Sequence, residues 1–247
     1  MGIFIGEFIG TLLLILLGNG VVANVLLKHS KGYGGGWIVI GLGWGFAVAI
    51  PIFIVGWISG AHLNPAVTLG LCCIGKSSWS HLPLYFTSQM LGAMTGSFLV
   101  WISYHPHFKA TQDPSLTLSC FCTQPAIRHY VFNFCSELIS TAVLMLGILG
   151  ILDSHNHLGA GIGPIAIGLL MASLLLSLGG PTGVAINPAR DLGPRIMHAL
   201  LPIAGKKNSD FIYGWIPVIA PFIGAAVGAV AYQWLLSNLT PLQAFIE

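Results

Sequence analysis

The sequence predicts an all-α membrane protein of six spanning helices and two half-helices, built as two halves of opposite orientation. Three observations carry that prediction. The 247-residue chain is 55% hydrophobic and 6% charged, with a mean hydropathy of +0.86, whereas soluble domains are about 25% charged. Its charges leave long runs without Asp, Glu, Lys or Arg, at 8–27, 32–75, 77–108, 138–152, 154–189 and 211–246. A short motif occurs twice, as Asn64-Pro65-Ala66 and Asn187-Pro188-Ala189, at matching places in the two halves.

Composition excludes several function classes. Nine Lys/Arg and seven Asp/Glu cannot furnish a water-soluble surface, so a cytosolic enzyme is excluded. A net charge of +2 with no basic cluster excludes a nucleic-acid partner, and the apolar content excludes a disordered chain. Five cysteines without regular spacing do not form a secreted disulfide framework. The partner such a surface requires is a lipid bilayer.

The elements follow in order. A spanning helix needs roughly 20 apolar residues. Met1-Gly2-Ile3 leads straight into a first span at 3–27, without the positive flank or cleavage pattern of a removable signal. Run 32–75 is too long for one span and divides into a span near 37–58 and a short apolar segment at 65–74. A third span covers 82–103. Stretch 104–130, with Pro106, Asp113, Pro114 and Pro125, reads as the one sizeable extramembrane loop. It joins repeats of about 3–103 and 131–238 within a single domain, 1–247. The second repeat holds spans near 131–152, 162–180 and 212–236, and a short segment at 188–199; Thr240–Glu247 is a tail. Three spans per half is an odd number, so the halves face opposite ways. At 1.5 Å per residue, a ten-residue helix crosses only about half of a ~30 Å hydrocarbon layer. The two short segments are therefore half-helices.

The internal repeat is detailed. Gly60-Ala61-His62-Leu63-Asn64-Pro65-Ala66-Val67 matches Gly183-Val184-Ala185-Ile186-Asn187-Pro188-Ala189-Arg190, and Glu7 in the first span matches Glu137 in the fourth. Inverted repeats with broken helices at corresponding positions point to a permeation site. Asn is a good N-cap and Pro suits the first helical position, where its missing N–H is not needed, so Asn64 and Asn187 start the half-helices. If one dips in from each face, their N-termini meet near the bilayer midplane, each carrying about +0.5 elementary charge, which repels cations, hydronium included. The asparagine amides offer N–H donors to a passing solute. The non-helical backbone of Gly60–Leu63 and Gly183–Ile186 is tolerated at that depth only when buried or lining a water-filled path, and its carbonyls then form a ladder of acceptors.

Glu7 and Glu137 admit two readings. They could carry protons, as buried carboxylates in transporters do, or accept hydrogen bonds from the unwound loops and fix the half-helices. Their symmetric placement favours the brace. His62 is expected to line the path with its carbonyl and brace the loop with its ring.

On these residues the chain resembles the major intrinsic proteins, the aquaporin family, and within it the glycerol facilitators. GAHLNPAV and GVAINPARDLGPR are similar to that family's two signature loops, and Gly6-Glu7-Phe8-Ile9-Gly10-Thr11 to its first-span signature. The resemblance runs from about residue 3 to 238. It implies an aquaporin-like fold, a homotetramer with one pore per protomer, a multi-pass place in the plasma membrane with cytoplasmic termini, and passive transport without a cofactor or metal. Asp191 with Arg195, and Pro217 followed by a non-aromatic Val218, match the glycerol-type subfamily. The resemblance also implies a selectivity filter of Trp44, Leu175, Val184 and Arg190. The position of Val184 is usually a large aromatic in that group and that of Leu175 usually Gly, so this filter is rearranged. One cationic corner against an aliphatic and indole wall suits glycerol, and also dihydroxyacetone, urea, protonated lactic acid and water.

Weaker patterns remain. His105-Pro106-His107 and Cys120-Phe121-Cys122 fit no standard zinc spacing. Asp153-Ser154-His155-Asn156-His157 reads as a solvated turn before a pH sensor. Small residues four apart (Gly6/Gly10, Gly41/Gly45, Gly92/Gly96, Gly224/Gly228) predict close helix contact. Charge bias opposes the implied orientation: Lys76 alone would lie in a short inside loop, against Lys28, Lys31, Lys109, Arg128, Lys206 and Lys207 outside. A passive neutral-solute channel is favoured over a proton-coupled carrier or a structural membrane protein of the same fold.

Overall fold

In a computed structural model, which describes residues 1–159 and 161–238, every regular element is helical. The helices are α1 (Gly2–Leu26), α2 (Gly36–Ser59), α3 (Pro65–Cys73), α4 (Leu82–Ser103), α5 (His105–Ala110), α6 (Pro114–Ser119), α7 (Tyr130–Ile151), α8 (Ile162–Leu178), α9 (Pro188–Leu200), α10 (Phe211–Gly214) and α11 (Ile216–Asn238). The tail at Thr240–Glu247 lies outside the described residues. The last span is interrupted at Trp215, close to Pro217, which has no N–H to return to the preceding turn.

The packing repeats across the halves. α1 lies against α2 and α4, and α7 against α8 and α11; half-helix α3 packs on α11, and α9 on α4. Each half-helix is thus seated on the last span of the other half. The joints match atom for atom. A Cβ added to Gly92 or Gly96 would stand 2.4 Å from the Phe8 carbonyl oxygen or 2.5 Å from that of Leu12. At Gly224 and Gly228 the same distances, to Leu138 and Ala142, are 2.3 and 2.4 Å. Only glycine permits such backbone contact.

Burial runs opposite to that of a soluble protein. Glu7, Asn19, Glu137, Asp191 and Arg195 are fully buried, while Trp57, Leu169 and Phe46 are 84%, 65% and 64% exposed. An apolar exterior around a polar interior is the arrangement lipid demands. Four helices, Gly2–Leu26, Gly36–Ser59, Tyr130–Ile151 and the combined Phe211–Asn238, are long and apolar enough to cross a membrane by length and composition. The chain is a multi-pass membrane protein.

Stretch 104–130 departs from the expected solvated connector. It forms α5 and α6 and then turns inward, burying Cys120, Phe121 and Cys122 almost completely. The Phe121 ring packs between Phe108 and His198, at 5.6 and 5.4 Å between centroids, which gives this segment an apolar anchor inside the protein. The cysteines are unpaired thiols, and among the described residues no group of three His, Cys, Asp or Glu side chains gathers to hold a metal ion.

Candidate functional site: the central cavity and its two half-helices

Asn64 and Asn187 cap α3 and α9 as proline-led N-termini require. The Asn64 Oδ1 accepts from the Ala66 N–H at 2.9 Å, and the Asn187 Oδ1 from the N–H groups of Ala189 and Arg190 at 3.0 and 3.1 Å. Their amides then reach across the molecule. Asn64 Nδ2 donates to the Ile186 carbonyl and Asn187 Nδ2 to the Leu63 carbonyl, both at 2.8 Å. Each amide has two N–H groups, so one per asparagine remains for another acceptor.

The backbone leading into each cap is strained in the same way twice. Gly60, Ala61 and Leu63 have φ of 84, 48 and 53°, and Gly183, Val184 and Ile186 have 85, 49 and 44°. Left-handed backbone at non-glycine residues costs about 1–3 kcal/mol each, and Val184 and Ile186 are β-branched, the least tolerant type. The carboxylates supply the restraint. Glu7 accepts from the Leu63 N–H at 2.7 Å, the His62 N–H at 3.0 Å, Ser59 Oγ at 2.7 Å and Gln89 Nε2 at 2.8 Å. Glu137 accepts from the N–H groups of Ala185 and Ile186 at 3.0 and 2.9 Å. With their N–H groups turned to the carboxylates, the unwound segments are free to present carbonyls elsewhere. The His62 ring stacks on Tyr85 at 4.3 Å, with Nδ1 3.1 Å from Thr68 Oγ1.

A cavity of about 450 Å³ runs along these loops. Gly60, Ala61, His62, Leu63, Ala185 and Ile186 line it, as do both asparagines; Trp44 and Arg190 stand in its wall, and Lys76 does too. Leu175 and Val184 do not line it, nor does Gly183. Both aliphatic side chains are nearly fully buried, and the Leu175 carbonyl accepts from Trp37 Nε1 at 2.9 Å. The four expected filter residues are therefore unequal here: the indole and the guanidinium are the cavity wall. Arg190 lies over the Trp44 ring at 4.4 Å and donates from Nη1 to the Phe121 carbonyl at 3.4 Å.

Asp191 does not pair with Arg190. It forms a fully buried ion pair with Arg195 at 2.8 Å and accepts from the Thr123 N–H and Oγ1 at 2.9 and 2.7 Å. Arg195 donates in turn to the carbonyls of Thr123 and Ser209, at 2.9 and 2.8 Å. The pair binds the inward loop to α9. Pro217 is buried in the first turn of α11, away from the cavity wall. Phe121, Thr123, Ser59 and Gln89 have no motif to reveal them. Asn19 carried a signal, as an amide in the middle of the charge-free run 8–27.

Residues 1–232 match the family model described as major intrinsic protein. Over 235 residues the chain is 56% identical to a probable glycerol uptake facilitator protein of Thermotoga maritima, covering 95% of this chain and 100% of that one. A D/L-lactic acid transporter of Lactiplantibacillus plantarum is 45% identical over 229 residues, 91% and 94% of the two chains. Among solved structures, the aquaglyceroporin from Plasmodium falciparum superimposes with a TM-score of 0.85 at 34% identity, covering 99% of this chain and 98% of that one.

Proposed function

Since this chain belongs to the major intrinsic protein family, whose members are membrane channels and not enzymes, we propose that it conducts glycerol and similar small neutral solutes passively and excludes protons and ions. The observation that carries the reading is the pair of half-helices meeting head to head beside one continuous cavity, each asparagine hydrogen-bonded to the other loop's carbonyl. A polyol hydroxyl both donates and accepts, and the cavity offers both partners: loop carbonyls along its length and the remaining asparagine N–H groups at its centre. The apolar wall, with Leu14, Val48 and Ile167, meets the carbon side of the solute. Two N-terminal half-charges and the Arg190 guanidinium raise the energy of a cation along that stretch. Neither Glu7 nor Glu137 lines the cavity, and both are loaded with donors, which argues against proton coupling.

Neutral lactic acid is a second substrate on this reading, favoured by the identity to the Lactiplantibacillus transporter; dihydroxyacetone, urea and water share its chemistry. We place the channel in the plasma membrane with both termini cytoplasmic, so that the Lys76 end of the cavity opens inward and the Trp44–Arg190 end outward. Each copy encloses a whole cavity, which suits a homotetramer with one pore per protomer. Vesicles reconstituted with the protein should re-swell faster in hyperosmotic glycerol than empty vesicles do, with no added proton current across a planar bilayer. Glycerol flux equal to that of empty vesicles, or a proton current that scales with protein, would defeat the proposal.

A further inference from the structure

We infer that Asn19 is the positioning residue of the filter, setting where the Arg190 guanidinium stands and so how wide a solute passes. The inference rests on the channel reading above. One turn of α1 serves both known cavity walls at this end. Gly18 seats the indole: a Cβ there would lie 2.5 Å from the Trp44 ring atoms Cη2 and Cζ3. Asn19, the next residue, is fully buried, and its Nδ2 donates to the Phe121 carbonyl at 3.0 Å across 102 residues of sequence. That carbonyl is the acceptor of Arg190 Nη1. One oxygen therefore has two donors, and the amide holds it at the shorter distance, 3.0 against 3.4 Å.

The remaining contacts of Arg190 sharpen the point. Its Nε has no partner among the described residues, and neither Asp191 nor another carboxylate pairs with it. Its position is set by the indole beneath it and by that one carbonyl. Val184 is small, nearly fully buried and absent from the cavity wall beside the guanidinium. Asn19 itself is a costly choice: its Oδ1 is buried and unpartnered among the described residues, and a half-satisfied amide inside a membrane protein is unfavourable. An apolar residue would pack there without that penalty. The amide offsets it through the carbonyl, which it keeps from closing on the guanidinium, so that Arg190 stays over the Trp44 ring, 4.4 Å from its centroid, and the passage stays narrow.

The test is a ratio of permeabilities, which does not depend on how much protein inserts. Asn19→Leu removes the donor; Asn19→Thr removes the amide but keeps a hydroxyl, which in a helix bonds its own preceding turn, and it covers the case in which the leucine variant does not assemble. Ribitol and glycerol permeabilities are measured on the same vesicles. With the pin gone, the Phe121 carbonyl draws the guanidinium off the indole, and the ribitol-to-glycerol ratio should rise by about threefold or more in either variant. Gly20→Ala, one residue further on with nothing within 4 Å of its added Cβ, should keep the ratio of the unmodified protein. A purely structural role for Asn19 would lower both fluxes in proportion. A ratio that is unchanged or falls in an assembled variant overturns the inference, while an unmodified protein that moves no glycerol overturns the channel reading instead.

Discussion

At the scale of the residue, the two glutamates and two asparagines divide the labour: the carboxylates take up the N–H groups of the unwound loops, and the amides tie the loops to each other. The brace can be tested on Glu137, whose two oxygens each accept one backbone N–H. Glu137→Gln keeps one acceptor and sets an amide N–H against the other donor, leaving at least one buried N–H unpaired at about 1–3 kcal/mol. Glu137→Ala leaves two. The melting midpoint in detergent should fall for the glutamine variant and fall further for the alanine variant, and glycerol flux should drop with it as the carbonyls lose alignment. A glutamine variant that melts with the unmodified protein would show that Glu137 is not a brace. Glu7 carries four donors, so its replacement should cost at least as much.

At the scale of the element, the spans were legible because a membrane helix announces itself by length and lack of charge, and the half-helices because Asn-Pro is a start signal written into the chain. With α10 and α11 taken together as the last span, the observed ends of the six spans and two half-helices fall within two residues of those expected. The inward turn at 120–123 was not legible. Its burial depends on Phe108, His198 and the Asp191–Arg195 pair, far away in sequence, and no local pattern encodes a long-range socket. The cavity wall was half legible for the same reason: Trp44 and Arg190 were expected there from the resemblance, by their offsets from the caps, whereas the Asn19–Phe121 contact is made only in the fold. The glycine pairs were read as contacts, and their matched joints make a sharp prediction. Gly224→Val places carbon against the Leu138 carbonyl, where even a Cβ would stand at 2.3 Å, and no flexible side chain is there to yield. It should abolish a monodisperse, detergent-soluble product on size exclusion, and Gly92→Val should do the same at the related joint, while Gly20→Ala runs as the unmodified protein does. A monodisperse Gly224→Val variant would mean that the α7–α11 joint can open.

At the scale of the whole molecule, the channel reading separates two pH dependences. Asp153, at the end of α7, accepts from Tyr232 Oη at 2.7 Å and from the His155 N–H at 2.9 Å, and these bonds, the tyrosine's first, hold its carboxyl well below the usual carboxylate range. A carboxyl lowered in the folded state contributes stability above its unfolded value and loses it only as pH falls through the lower, folded one. Between pH 7 and 5 the Tyr232–Asp153 tie therefore stays intact, and glycerol flux should be level across that window. Lactic acid should behave otherwise. With a pKa near 4 its neutral fraction falls about tenfold per pH unit above that value, and a lactate anion would have to shed its hydration in the largely apolar cavity, a penalty of several kcal/mol. Labelled lactate uptake at pH 5, 6 and 7 should thus fall steeply while glycerol uptake holds. Level lactate uptake would mean that the anion itself is carried. The exchange of half-helices between the two repeats has a further consequence, for synthesis. α3 ends at Cys73 but rests on α11, which begins at Ile216, so the first half-helix reaches the membrane long before its seat exists. At ~5–20 residues per second, roughly seven to thirty seconds pass between the two events. Through that interval the nascent chain must shelter a short, proline-led half-helix whose N-terminal N–H groups have no spanning partner, and the machinery that inserts it becomes a transient stand-in for the missing span.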